Sequence, residues 1–188
     1  MHVPNEDNGA GGIRDEAASK QVLLRKPSST DGSRIWRLVA ACPPLDQNSM
    51  YCNLLQCRDF AETSVLAEVH GEAVGWISGY RRPDDPSTLF VWQVAVHERA
   101  RGLGLARKML FGLLDRQELR DVARMQTTIT PDNHASHALF RSFAERANAV
   151  LEATDCFDEK RHFEGRHASE RLITIGPLNS NRNARSAA

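Results

Sequence analysis

The 188-residue chain has no apolar run long enough to cross a bilayer, and its first residues lack the apolar core of a secretion signal. A helical membrane anchor is excluded on that basis, and the cytoplasm is the expected location. Cysteine is scarce: Cys42, Cys52, Cys57 and Cys156 form neither a C-x-x-C pair nor a metal-finger spacing. They read as reduced thiols, not as a disulfide framework. Neither charge sign is in excess, with 24 Lys plus Arg against 24 Asp plus Glu, so no global field argues for nucleic acid or a membrane surface as partner. Several chemical signatures are also missing. No Gly-Lys-Ser/Thr follows the glycine turn, which excludes a P-loop, and Arg107 stands where a dinucleotide fingerprint needs its third glycine. No nucleophile-elbow string is present. His134 and His137 lie three apart, but spacing fixes no carboxylate or cysteine partner beside them, so no metal is expected.

What is present centres on residues 88–110. An apolar strand containing Phe90, Val91, Val94 and Val96, with Trp92, runs through a basic turn into a helix. The turn carries Arg99, Arg101, Gly102 and Gly104. Two glycines separated by one residue allow a tight bend, and the helix that starts there adds its unpaired first-turn amides and the positive end of its dipole. Such a bend is an anion cradle, and nearby arginines suit it to phosphate.

The length fits one domain, expected over residues 21–178, between flexible tails at 1–20 and 179–188 that show no apolar period. Residues 21–26 (QVLLRK) read as a first strand. A helix carrying Ile35, Leu38 and Val39 follows and is stopped by Pro43 and Pro44. Residues 45–60 open with polar residues and continue into a short helix. Two β-type runs then meet at His70-Gly71, the mark of a hairpin. After the glycine turn, Leu105, Met109, Leu110, Leu113 and Leu114 form one helix face that ends near Gln117. Residues 125–130 form a strand, and Asn133 heads a helix buried through Ala135, Leu139, Phe140 and Phe143. Strands at 149–153 and 172–175 flank a charged segment. The fold class is α/β, with a mixed sheet.

The string RARGLGLA, from Arg99 to Ala106, matches R/Q-x-x-G-x-G/A and resembles the acyl-coenzyme A turn of the GNAT N-acetyltransferase superfamily. The bulge-prone VWQVAV before it and TPDNHASHALFRSFA after it strengthen the match. LDQNSMYCNLLQC, TLFVWQVAV, RGLGLARKML, TPDNHASHALFRS and the late H-x-x-E before RLITIGP are together similar to the diaminobutyrate acetyltransferases. These strings span roughly Leu23 to Leu178.

The resemblance implies the GNAT fold, a mixed and mostly antiparallel central sheet flanked by helices. It also implies acetyl-CoA as cosubstrate, L-2,4-diaminobutyrate as the small-molecule amine, a product on the way to ectoine, and a homodimer as one assembly such relatives adopt. Coenzyme A contacts then fall on the backbone of Val94, Ala95 and Val96, on Arg101, Gly102, Leu103, Gly104, Leu105 and Ala106, and on Asn133, Ser136 and Phe140. Phe140 stands where many members carry a tyrosine acid. Asn133 is equally a plain helix cap. Binding a doubly cationic zwitterion calls for carboxylates and hydrogen-bond donors. Asp46, Asn48, Ser49 and Tyr51 are the first candidates, over a floor of Trp92 and Gln93. Turn chemistry alone makes the same loop a helix cap, and Trp92 alone reads as core. Asp46, His167 and Glu170 are the candidate proton-handling groups. The last two read otherwise as solvated loop residues. Two further readings stay open: acetylation of another primary amine on a protein or small molecule, and a non-catalytic acetyl-CoA-binding domain.

Overall fold

The alternating and helical periodicities resolve into seven strands and four α-helices among the described residues. The structure, a computed structural model, describes residues 22–178; the tails expected at 1–20 and 179–188, and Gln21, lie outside the described residues. In chain order the elements are β1 (Leu23–Arg25), α1 (Gly32–Ala40), α2 (Met50–Asp59), β2 (Val65–Val69), β3 (Glu72–Arg81), β4 (Thr88–Val96), α3 (Leu105–Leu114), β5 (Arg124–Ile129), α4 (His134–Ala147), β6 (Val150–Phe157) and β7 (Glu170–Gly176). One sheet contains all the strands in the order β1-β2-β3-β4-β5-β7-β6. Only β4 and β5 run parallel.

Local chemistry explains most boundaries. His70 and Gly71 adopt φ of 51° and 77°, the left-handed pair that matches the twist of a two-residue hairpin. The Ser49 hydroxyl accepts from the Cys52 amide and starts α2. Asn148, at φ 51°, closes α4 in the left-handed region that Asn tolerates. α3 and α4 cover one sheet face over a core that includes Ile77, Leu89, Met109, Leu113, Met125 and Phe143. α1 and α2 cover the other over Ile35, Leu38, Cys57, Leu66, Trp76 and Ala95.

Two sequence expectations are corrected. The buried residues of β4 are Thr88, Leu89, Val91, Gln93 and Ala95; Trp92 is 47 % exposed and Val94 and Val96 half-buried. A β-bulge causes this: Ser78 pairs with Gln93 and Gly79 with Val91, so Trp92 is an extra residue that shifts the alternation. Leu89 and Val91 before the bulge and Val94 and Val96 after it therefore share the α3–α4 core. Glu170, expected in a loop, is the first residue of β7 and pairs with Phe157 of a β6 longer than its apolar pattern suggested.

The short strand β1 is fastened by charge. The Arg25 guanidinium donates to both Asp31 oxygens at 2.8 Å and to both Glu68 oxygens at 2.8 and 2.9 Å. Arg34 reaches Glu68 at 2.8 Å and Asp31 at 3.1 Å from α1. Hydrogen bonds from Arg25 hold the Asp31 and Glu68 carboxyls well below the usual carboxylate range. The folded state thus binds protons less readily than the unfolded chain. The resulting stabilisation is complete above the ordinary carboxyl value of about 4 and is lost as pH falls towards the depressed folded values. Asp31→Ala is expected to cost about 2 kcal/mol at pH 7, allowing for the partial exposure of both arginines. Urea unfolding at stepped pH should show a constant gap between wild type and variant above pH ~5 that narrows progressively as pH falls below about 4.

Candidate active site

The site starts where the sheet parts. β4 and β5 pair only from Thr88–Arg124 to Phe90–Gln126. Beyond that point β4 continues to Val96 with β3 on one side and, among the described residues, no ladder partner on the other. The free edge at Val94, Ala95 and Val96 can accept an extended ligand as an added strand.

The edge leads into the glycine turn. After a 3-10 turn at Glu98–Ala100, Gly102 and Gly104 adopt φ of 76° and 69°, and Gly104 caps α3. Leu103 between them is 76 % exposed. The amides of Leu105, Ala106 and Arg107 head α3 without intrahelical acceptors, so the bend presents converging N–H groups and a helix dipole. Arg101 fastens the bend to the strand, its Nε donating to the Val96 carbonyl at 3.0 Å. A second cation beside the turn is Arg107, whose Nη2 lies 3.4 Å from where a Gly104 Cβ would stand and whose Nη1 donates to Ser142 at 2.7 Å. Its i+3 spacing from the helix-capping glycine was a legible signal.

Beyond β5 the chain turns into α4. Asn133 Oδ1 accepts from the Ser136 amide at 3.0 Å, a helix cap in this structure. Phe140 is buried in the core and carries no acidic proton.

The opposite side of the bulge gathers polar groups from distant segments. Gln93 Nε2 donates to the Asp46 carbonyl at 2.8 Å, holding the loop before α2 against β4, while its buried Oε1 has no hydrogen-bond partner among the described residues. His167 Nε2 lies 3.8 Å from Asp46 and 3.9 Å from Glu170. The Glu170 side chain is 20 % exposed and that of Asp46 91 %. His167 Nδ1 is 2.7 Å from the Ala168 carbonyl, which can only accept, so Nδ1 carries hydrogen and Nε2 faces the two carboxylates. Phe163 packs on the imidazole, ring centroids 4.7 Å apart. Asp132 also lies within electrostatic reach of His167, and the Thr130 hydroxyl, first among several influences, lowers its pKa. Tyr51 and Trp92 are exposed, Asn48 is partly buried, and the Ser49 hydroxyl is committed to capping α2. Among the described residues no group of three His, Cys, Asp or Glu side chains is placed to hold a metal ion.

The model of the acetyltransferase (GNAT) family matches residues 33–144. An L-2,4-diaminobutyric acid acetyltransferase from Methylotuvimicrobium alcaliphilum is 48 % identical over 166 residues, covering 88 % of this chain and 96 % of the relative. The chain belongs to the diaminobutyrate acetyltransferases of the GNAT family. The diaminobutyrate acetyltransferase of Paenibacillus lautus, solved with L-2,4-diaminobutyric acid and coenzyme A, superimposes with a TM-score of 0.81 at 38 % identity, over 85 % of this chain and 97 % of that one. A ribosomal-protein-alanine N-acetyltransferase from Brucella melitensis, 21 % identical with a TM-score of 0.63 over 81 % of this chain and 98 % of its own, shares the fold alone.

The glycine bend of this acetyltransferase supplies a direct test. Gly104→Glu places a carboxylate in the cradle at a left-handed position, costing about 1 kcal/mol of stability. The expected outcome is a folded variant whose KM for acetyl-CoA rises about 10-fold or more, equivalent to about 1.4 kcal/mol. Steady-state kinetics beside a melting curve checks both parts.

Proposed function

We propose that this enzyme transfers the acetyl group of acetyl-CoA to the side-chain amine of L-2,4-diaminobutyrate in the cytoplasm, giving Nγ-acetyl-L-2,4-diaminobutyrate, a precursor of the compatible solute ectoine. The supporting observation is the meeting of Asp46, from the loop before α2, with His167 and Glu170, at the start of β7, on the Gln93 side of the β4 bulge. The relatives named above act on the same amine by name. The balanced charge of the chain suits a small zwitterion better than a polyanion or a membrane surface, and no helix among the described residues is long and apolar enough to cross a membrane. The free edge of β6, with Val150 and Phe157 exposed, supports a homodimer.

The chemistry follows from the needs of thioester aminolysis. An alkylammonium with a pKa of about 10.4 must lose a proton before its nitrogen can attack. Asp46 and Glu170 attract the cation, and His167 Nε2, held towards both carboxylates by the Nδ1 bond, takes the proton. The imidazolium formed is then paired with two carboxylates. The free amine attacks the carbonyl carbon, and a main-chain amide on the open edge of β4 stabilises the oxyanion. The carbon–sulfur bond breaks, the thiolate leaves, and the nitrogen now bonded to carbon gives up its second proton to solvent, leaving the neutral amide. Phe140 supplies no proton to the thiolate, which is a good enough leaving group to depart as the anion and be protonated by water.

A thiol-release assay with diaminobutyrate, ornithine and lysine tests the substrate: diaminobutyrate is expected to give the highest kcat/KM, and a preference for either longer diamine would reject it. His167→Gln is expected to lower kcat about 100-fold with the KM for acetyl-CoA little changed. Asp46→Ala is expected to raise the diaminobutyrate KM about 10-fold, in line with a lost charge-assisted contact. Unchanged amine kinetics would remove Asp46 from the pocket.

A further inference from the structure

Residues 158–169 join β6 to β7 and carry His167, yet none of them is buried. Their own hydrogen bonds shape the turn. The Asp158 carboxylate accepts from the Lys160 and Arg161 amides at 2.9 and 2.7 Å, and His162 Nδ1 accepts from the Asp158 amide at 2.8 Å. The Gly165 amide donates to the Glu159 carbonyl at 2.8 Å, and the Glu159 amide to the Ser169 hydroxyl at 2.9 Å. These bonds lie within the segment and do not pack it against the sheet. A segment with so little buried surface is held loosely unless something else fastens it. The Nδ1 bond of His167 goes to the neighbouring Ala168, so it too sets the ring only against its own backbone.

Aromatic rings make the connection to the sheet. Phe157, the last residue of β6, pairs with Glu170 in the ladder and meets Phe163 edge-on, ring centroids 6.1 Å apart at 71°. Phe163 in turn meets the His167 imidazole at 4.7 Å and 46°. Phe163 is the one large apolar side chain of residues 158–169, and it is half-buried where most of its neighbours are exposed. We infer that Phe163 is a positioning residue for proton transfer: its ring links Phe157 to His167 and so fixes where Nε2 meets the amine. The inference rests on the reading of His167 as proton acceptor. The carboxylates at 3.8 and 3.9 Å are too distant to hold the imidazole by themselves. Proton transfer needs hydrogen-bond reach, and a misplacement of about 1 Å costs up to about 100-fold in rate.

Steady-state kinetics and imidazole NMR of the full chain test this with Phe163→Leu and Phe163→Tyr. Leucine keeps the apolar bulk without the flat ring, and tyrosine keeps the ring. Phe163→Leu is expected to lower kcat about 10-fold with the KM for acetyl-CoA unchanged, and Phe163→Tyr to restore kcat to within about 2-fold of wild type. Added to His167→Gln, Phe163→Leu should cost less than about 2-fold more, because both changes act through the same imidazole. The His167 ring-proton resonances, assigned by their loss in His167→Gln, should carry a ring-current displacement in the wild type and in Phe163→Tyr that Phe163→Leu lacks. A wild-type kcat in Phe163→Leu, a full loss on top of His167→Gln, or imidazole resonances indifferent to Phe163→Leu would overturn the inference. Failure of the reading beneath it looks different: His167→Gln would keep the wild-type kcat while the imidazole resonances still respond to Phe163→Leu, and the role of Phe163 in proton transfer would fall with it.

Discussion

The structure depends on β4 and β5 parting after three paired residues. A parallel pair that continued to Val96 would bury the main-chain groups of β4 in a ladder and leave the glycine bend at the end of a closed sheet. Because the strands separate, two sets of main-chain hydrogens face the same side of the molecule: those of the free β4 edge and those of the first turn of α3. Both are left unpaired by backbone geometry and not by any side chain, so they recognise amide and phosphate groups without reference to sequence.

The bulge at Trp92 is the second consequence of that region. By inserting one residue it keeps Val94 and Val96 in the α3–α4 core while turning Gln93 towards the loop before α2. One strand therefore serves two sites: its edge borders the donor, and its Gln93 side chain anchors the loop that carries Asp46. A strand without the bulge would put Gln93 and Val94 each on the opposite face.

Charge is arranged differently in the two polar clusters. Arg25, Arg34, Asp31 and Glu68 satisfy one another and hold a three-residue strand that buries little apolar surface of its own. Around His167 the carboxylates of Asp46 and Glu170 face an imidazole at 3.8 and 3.9 Å, too long for saturated hydrogen bonds. The first arrangement is closed and structural. The second retains capacity for an incoming cation.

The sequence by itself determined most of the local structure: the His70-Gly71 hairpin, the helix faces of α1 and α3, the Gly102–Gly104 bend and the mixed α/β class, because each depends on spacing within a few residues. It also named Asp46, His167 and Glu170 as candidates, but through resemblance, since no local period links positions more than a hundred residues apart. Tertiary structure alone decided that Asp46 meets the other two, that Trp92 faces outward, that Glu170 opens a strand, and that Arg107 reaches the cradle. The physical reason is common to all four: a bulge, a strand register and a side-chain reach are set by the pairing and packing of distant segments, and those contacts leave no periodic trace in the chain.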